Sequence, residues 1–159
     1  MVCIAVIFGL LTGAHVNLAV TIDFWEVGKF PTELVLVYII AQCIGAFIVA
    51  LIVWLLFKDH LDEEENQNCQ LGSFATIASN SNNFRNLLSE IVATFSLLFI
   101  LFALGHQQPA KGVAMFFVFA GVAGGVMSFG GLTRYAINPA RDFMLRLIHA
   151  IMPIFIFID

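Results

Sequence analysis

Apolar positions in this chain come in long unbroken runs, separated by short polar interruptions. Residues 35–57 are 23 consecutive positions without a charge, and Gln42 is their only amide. As a helix rising 1.5 Å per residue, that run reaches about 35 Å, enough to cross a bilayer with some tilt. Residues 87–104, with Ser89 and Glu90 near their start, predict a second span. Residues 113–132 predict a third. Glycines at 121, 124, 125, 130 and 131 would weaken a helix in water, but in lipid they let backbones approach closely. Gly45, Ala46 and Ala50 give the first span a small-residue face of the same kind.

Two further apolar stretches are interrupted rather than continuous. Residues 1–11 have the length of a signal peptide but lack a basic leading region and a small-residue cleavage site. They read as the tail of a spanning helix that feeds through Thr12 into Gly13. A short helix ending near Lys29 follows, with Gly28 and Pro31 as punctuation. Near the other end, Asn138-Pro139-Ala140 reads as a loop entering a helix that runs through Phe143 towards Ile148. Asn is a strong helix N-cap, and Pro fits the first helical position, which needs no N–H. Both helices are shorter than the roughly 20 residues that span a membrane. Residues 58–85 are the one long polar segment, acidic first and rich in Asn and Ser later. They read as a solvated loop with some re-entrant order near Phe74 and Ala75.

Composition narrows the class. The 159 residues are 60% hydrophobic and 11% charged, with 17 Phe and a mean hydropathy of +0.95. A soluble domain is nearer a quarter charged, so this is membrane composition. The net charge of −4 says little about partners, because acids cluster in residues 58–65. Cys3 and Cys43 read as small buried apolar residues, and Cys69 lies in the polar loop. No cysteine or histidine spacing suggests a metal or a disulfide framework. No nucleophile or acid–base pair suggests an enzyme, and neither a cofactor nor a nucleic-acid partner is expected.

The chemistry concentrates in two stretches that align on their asparagines. One is Ala14-His15-Val16-Asn17-Leu18-Ala19-Val20, and the other is Tyr135-Ala136-Ile137-Asn138-Pro139-Ala140-Arg141. A half-helix at membrane depth presents a positive dipole end. The irregular backbone before it is tolerable only if it is buried in protein or lines a water-filled cavity. Two such ends meeting at the midplane place both asparagine amides at one constriction. Arg141 at membrane depth must face water or a partner. Glu90, inside an apolar run, must be neutral or have partners.

These paired motifs resemble the Asn-Pro-Ala loops of the major intrinsic protein family, the aquaporins and glycerol facilitators. Asp142 after Arg141, and Tyr135, resemble the glycerol-conducting branch, notably the uptake facilitators of lactic-acid-type bacteria. The resemblance runs from Ile4 to about Ile154. It implies an all-α membrane protein, an aquaporin-like inverted repeat with two re-entrant half-helices, over 1–159 as one partial channel domain. The segment 58–85 would lie outside the cell. Measured against the family, the chain reads as three full spans, part of a fourth and two half-helices, with the outer helices missing. Residues 155–158 are too few for a final span.

The resemblance implies site roles residue by residue. Asn17 and Asn138 donate to the permeating oxygen. Arg141 and Tyr135 form the outer constriction. Backbone carbonyls of Gly13, Ala14, His15 and Val16 line the path, matched in the second loop by Arg134, Tyr135, Ala136 and Ile137. Glu90 braces a pore loop, and Asp142 pairs with a cation such as Arg146 or holds the loop. The family usually has Gly at 134, so Arg134 is expected to snorkel, form a salt bridge or crowd the mouth. Leu18 stands where Pro is expected, and Met144-Leu145 where Gly-Pro is expected. The implied function is a passive channel for glycerol, small neutral polyols and water, as a homotetramer in a bacterial inner membrane. The rival readings are a water-selective channel and a non-conducting membrane polypeptide from a pseudogene or broken frame.

Overall fold

The computed structural model of the protein describes residues 2–107 and 109–152. The expectation for 155–158 falls outside that range. Among the described residues every regular element is a helix: α1 (Val2–Thr12), α2 (Leu18–Glu26), α3 (Thr32–Leu56), α4 (Lys58–Glu63), α5 (Gln67–Phe74), α6 (Asn83–Gln107), α7 (Lys111–Thr133) and α8 (Pro139–Ile151). The spans expected at 35–57, 87–104 and 113–132 are α3, α6 and α7, each slightly longer or shifted. All three are long and apolar enough to cross a membrane. Large apolar side chains stay exposed along them, among them Leu36, Ile44, Ile91, Phe99 and Phe119. An apolar surface of this kind is stable where hydrocarbon replaces water.

Helices α2 and α8 have 9 and 13 residues, about 14 and 20 Å of rise, and stop short of a hydrocarbon core of about 30 Å. Each begins at a capping asparagine in extended backbone, Asn17 or Asn138. The approach to each is the same. Helix α1 leads into residues 13–16 and helix α7 into residues 134–137. Positive φ occurs at Gly13, Ala14 and Val16 in the first approach, and at Arg134, Tyr135 and Ile137 in the second. Counted back from the asparagine, these are the same three positions. An internal repeat is therefore written into the backbone as well as the sequence. Left-handed backbone at a non-glycine residue costs about 1–3 kcal/mol and persists only where surroundings enforce it.

The long polar segment is more than a wet loop. It folds into α4 and α5, and Leu61, Gln70, Phe74, Ala75 and Thr76 are buried. Leu61 and Phe74 join Ala50 of α3 and Ile148 of α8 in one apolar cluster. Helix α8 is thus wedged between α3 and this segment. Cys3 is exposed and Cys43 half-buried, unlike the buried cysteines expected. Each sits on a helix whose apolar surface is turned outward, so an apolar run did not mean interior here.

Candidate functional site

The two capping asparagines, 121 positions apart in sequence, bond each other's loops. Asn17 Nδ2 donates to the Ile137 carbonyl at 3.1 Å, and Asn138 Nδ2 donates to the Val16 carbonyl at 2.9 Å. Each side-chain oxygen faces its own helix: Asn17 Oδ1 accepts from Ala19 N–H at 2.9 Å and Asn138 Oδ1 from Arg141 N–H at 3.5 Å. Asn17 is only 2% exposed. Each amide has two N–H donors, and the cross-junction bond uses one. The helices α2 and α8 therefore meet N-terminus to N-terminus, with one amide proton per asparagine uncommitted. Leu18 N–H also lies 3.4 Å from Asn138 Oδ1.

Glu90 of α6 holds the second loop. Its Oε1 accepts from the Thr133 hydroxyl and from Ala136 N–H at 3.1 Å, and its Oε2 accepts from Ile137 N–H at 2.8 Å. A carboxylate at this depth has the partners it needs. These bonds satisfy backbone donors that the left-handed turn at 134–137 removes from α7.

Asp142 clasps the segment after α5 to α8. Its Oδ1 accepts from Thr76 N–H at 3.0 Å and from the Thr76 hydroxyl at 2.6 Å. Its Oδ2 takes Arg146 Nε at 2.7 Å, and Arg146 also donates to the Thr76 carbonyl. Asp142 both pairs with Arg146 and holds the loop, the two roles the sequence left open. Arg141 lies beside it, Nη1 at 3.9 Å from Asp142 Oδ1, with its side chain 44% exposed. The Arg134 side chain reaches Gly72 of α5, where a Cβ would stand 2.7 Å from its Nη1.

Tyr135 is placed differently from a ring facing open space. It is 7% exposed and stacks on Phe129, with centroids 6.4 Å apart and planes within 8°. A Cβ on Gly125 of α7 would fall 2.2 Å from its hydroxyl oxygen, so glycine alone admits the ring there. It does not line the large cavity described next.

That cavity, about 830 Å³, has Asn17 in its wall. Gly13, Ala14, His15, Val16 and Asn17 line it together with α7 residues such as Val118 and Val122. Ala136, Ile137 and Asn138 line a second, smaller cavity together with Glu90. The sequence reading missed Thr21, Gln42, Thr76 and Thr133. Thr21, Gln42 and Thr133 lie in or beside apolar runs, and Thr76 lies in the long polar segment. A lone polar residue in such a stretch was the only available signal, and it is weak.

Residues 1–158 match the family described as Major intrinsic protein. A protein of Haemophilus influenzae named "Uncharacterized aquaporin-like protein" is 92% identical over 154 residues, which cover 97% of this chain and 72% of that protein. The "Glycerol uptake facilitator protein" of Streptococcus pneumoniae strain R6 is 43% identical, over 92% of this chain and 62% of its own length. That of Bacillus subtilis is 44% identical, over 92% and 53%. The chain thus spans less than two thirds of either facilitator. The X-ray structure of the aquaglyceroporin from Plasmodium falciparum superposes with a TM-score of 0.76 at 26% identity, over 90% of this chain and 61% of that one.

Proposed function

This chain belongs to the major intrinsic protein family, and on that premise we propose that it forms a passive membrane channel for glycerol and other small neutral solutes, with water. The observation that carries the reading is the reciprocal pair of bonds from Asn17 and Asn138. It fixes two amides at one point and leaves each a free N–H for a solute oxygen. Two helix N-termini converge there, and their positive ends disfavour cations and protons. The left-handed residues on either side keep successive carbonyls out of helical bonds, so they can accept solute O–H groups.

Arg141 sits at the outer end, where its exposed guanidinium donates to hydroxyls and repels cations. Tyr135, stacked on Phe129 and packed against Gly125, steadies the second loop instead of walling the constriction. Asp142 and Glu90 hold the second loop in place through the bonds described above. The channel sits in the lipid bilayer of a bacterial cell membrane as a homotetramer, with the 58–85 segment outside. The names of the facilitator relatives support glycerol as the solute.

Stopped-flow light scattering tests this reading. Vesicles carrying the chain should shrink and then reswell in hyperosmotic glycerol, faster than empty vesicles. Reswelling at the empty-vesicle rate overturns the glycerol assignment. Water flux without glycerol flux selects a water channel instead. Arg141→Ala should admit cations, and unchanged exclusion removes the filter role.

A further inference from the structure

Arg134 takes left-handed backbone, φ 57° and ψ 22°, where the chain leaves α7. Glycine adopts that conformation freely, whereas a residue with a side chain is strained in it. The facing element makes room for the side chain. Gly72 lies in the last turn of α5, and a Cβ built on it would stand 2.7 Å from Arg134 Nη1 and 3.8 Å from its Cζ. The negative end of a helix favours a cation at that place. No ion pair neutralises this cation. Among the described residues no carboxylate lies within ion-pair distance of Arg134, and its five side-chain N–H donors have no protein acceptor.

Two more guanidinium groups close on the same stretch of chain. Arg146 donates to the Thr76 carbonyl, and Arg141 Nη1 lies 3.9 Å from Asp142 Oδ1, which also accepts from the Thr76 hydroxyl. Gly72 and Thr76 are four residues apart, at most about 14 Å of chain. Asp142 is the one carboxylate in ion-pair range of these arginines, and Arg146 already holds it at 2.7 Å. Glu90 is engaged by Thr133, Ala136 and Ile137 and makes no ion pair. Of the acids at 59–65, Asp62 pairs with Lys58 and none reaches an arginine. Three positive charges thus meet one negative charge, and Arg134 is the one with no partner. We infer that Arg134 is an oxyanion-binding residue, which receives the carboxylate or phosphate of a small ligand beside α5. The planar fork of a guanidinium matches two oxygens of such a group, and each bond is charge-assisted. Arg141 adds to the field that draws the anion in. That this patch lies at the outer mouth rests on the channel reading, but binding itself does not.

Phosphorus NMR of inorganic phosphate, titrated with the chain in an uncharged detergent at constant ionic strength, tests it. Saturable binding is expected, and its absence overturns the inference. Arg134→Gly should weaken binding about ten- to a hundredfold, the range of a hydrogen bond to a charged group. Glycine suits the left-handed backbone, so this variant keeps the fold. Phosphate that binds it as tightly as the unaltered chain assigns the anion to other groups and overturns the inference. Gly72→Ala leaves every charge in place but sets a methyl where the guanidinium rests, and it should weaken binding too. Equal binding there overturns the placement beside α5. Arg134→Lys keeps the charge without the fork and should recover only part of the loss. Phosphatidylglycerol added to the detergent tells the sources apart. Displacement of phosphate by the lipid assigns the site to a headgroup, and undiminished binding assigns it to a free anion. Glycerol flux in vesicles reports the channel separately: flux without phosphate binding removes this site alone, and binding without flux removes the channel reading alone.

Discussion

Leu18 donates its backbone N–H to Asn138 Oδ1, 3.4 Å away across the junction of the two short helices. The equivalent position after Asn138 is Pro139, which has no N–H, so the opposite bond cannot form. The repeat is symmetric in its asparagines and left-handed residues but asymmetric at this one donor. A leucine where the resemblance leads one to expect proline thus has a structural consequence: the free N–H it leaves is taken up by the opposing cap.

Leu18→Pro should change stability by less than about 1 kcal/mol. The lost bond is long, so it falls at the weak end of the usual range of about 0.5–1.5 kcal/mol. A proline at the first helical position restricts the unfolded chain and offsets the loss by about 0.4–1 kcal/mol. Thermal unfolding in detergent measures the difference. A loss above about 2 kcal/mol would mean the N–H matters far more than its length suggests.

Asn138→Asp keeps a capping oxygen for Arg141 N–H but removes the donation to the Val16 carbonyl. An oxygen then faces an oxygen, and a negative charge sits where two helix N-termini repel cations. Glycerol flux should fall at least about tenfold, a loss of about 1.4 kcal/mol in the barrier, and cation leak should rise. A cation-sensitive dye in the vesicles reads the second effect. Unaltered flux and leak together would show that the amide takes no part in permeation.

Glu90→Gln should loosen the second loop. The carboxylate accepts three hydrogen bonds, and a glutamine offers one oxygen while turning an N–H₂ towards an existing donor. The expected cost is about 2–4 kcal/mol, because bonds to a charged acceptor are the stronger ones. Amide hydrogen exchange at Ala136 and Ile137 should speed up. Protection equal to that of the unaltered chain would assign the loop's order to other contacts.

Gly125→Ala should displace Tyr135, since a methyl 2.2 Å from its hydroxyl oxygen cannot be accommodated without a shift. Overpacking of this kind costs about 1–3 kcal/mol. Tyr135→Leu in the same background should recover stability, giving a coupling between the two sites in a double-mutant cycle. Simple additivity would place the ring elsewhere.

The sequence alone determined a membrane protein with three spans and two asparagine-capped short helices. Run length against bilayer thickness and the capping chemistry of Asn and Pro are local properties, legible in a window of about 20 residues. It also marked Glu90 and Asp142 as groups needing partners, because an unpartnered carboxylate in an apolar setting is too costly. Tertiary structure decided who those partners are. Thr76 answers Asp142 from 66 positions away and Ile137 answers Asn17 from 120, distances over which no local pattern carries information. It also folded the polar segment inward, so that Phe74 meets Ile148, and laid the Tyr135 ring against Gly125. Polarity along the chain reports where a residue can go. Which side chain completes a buried hydrogen bond or fills a glycine's gap depends on helix faces meeting in three dimensions.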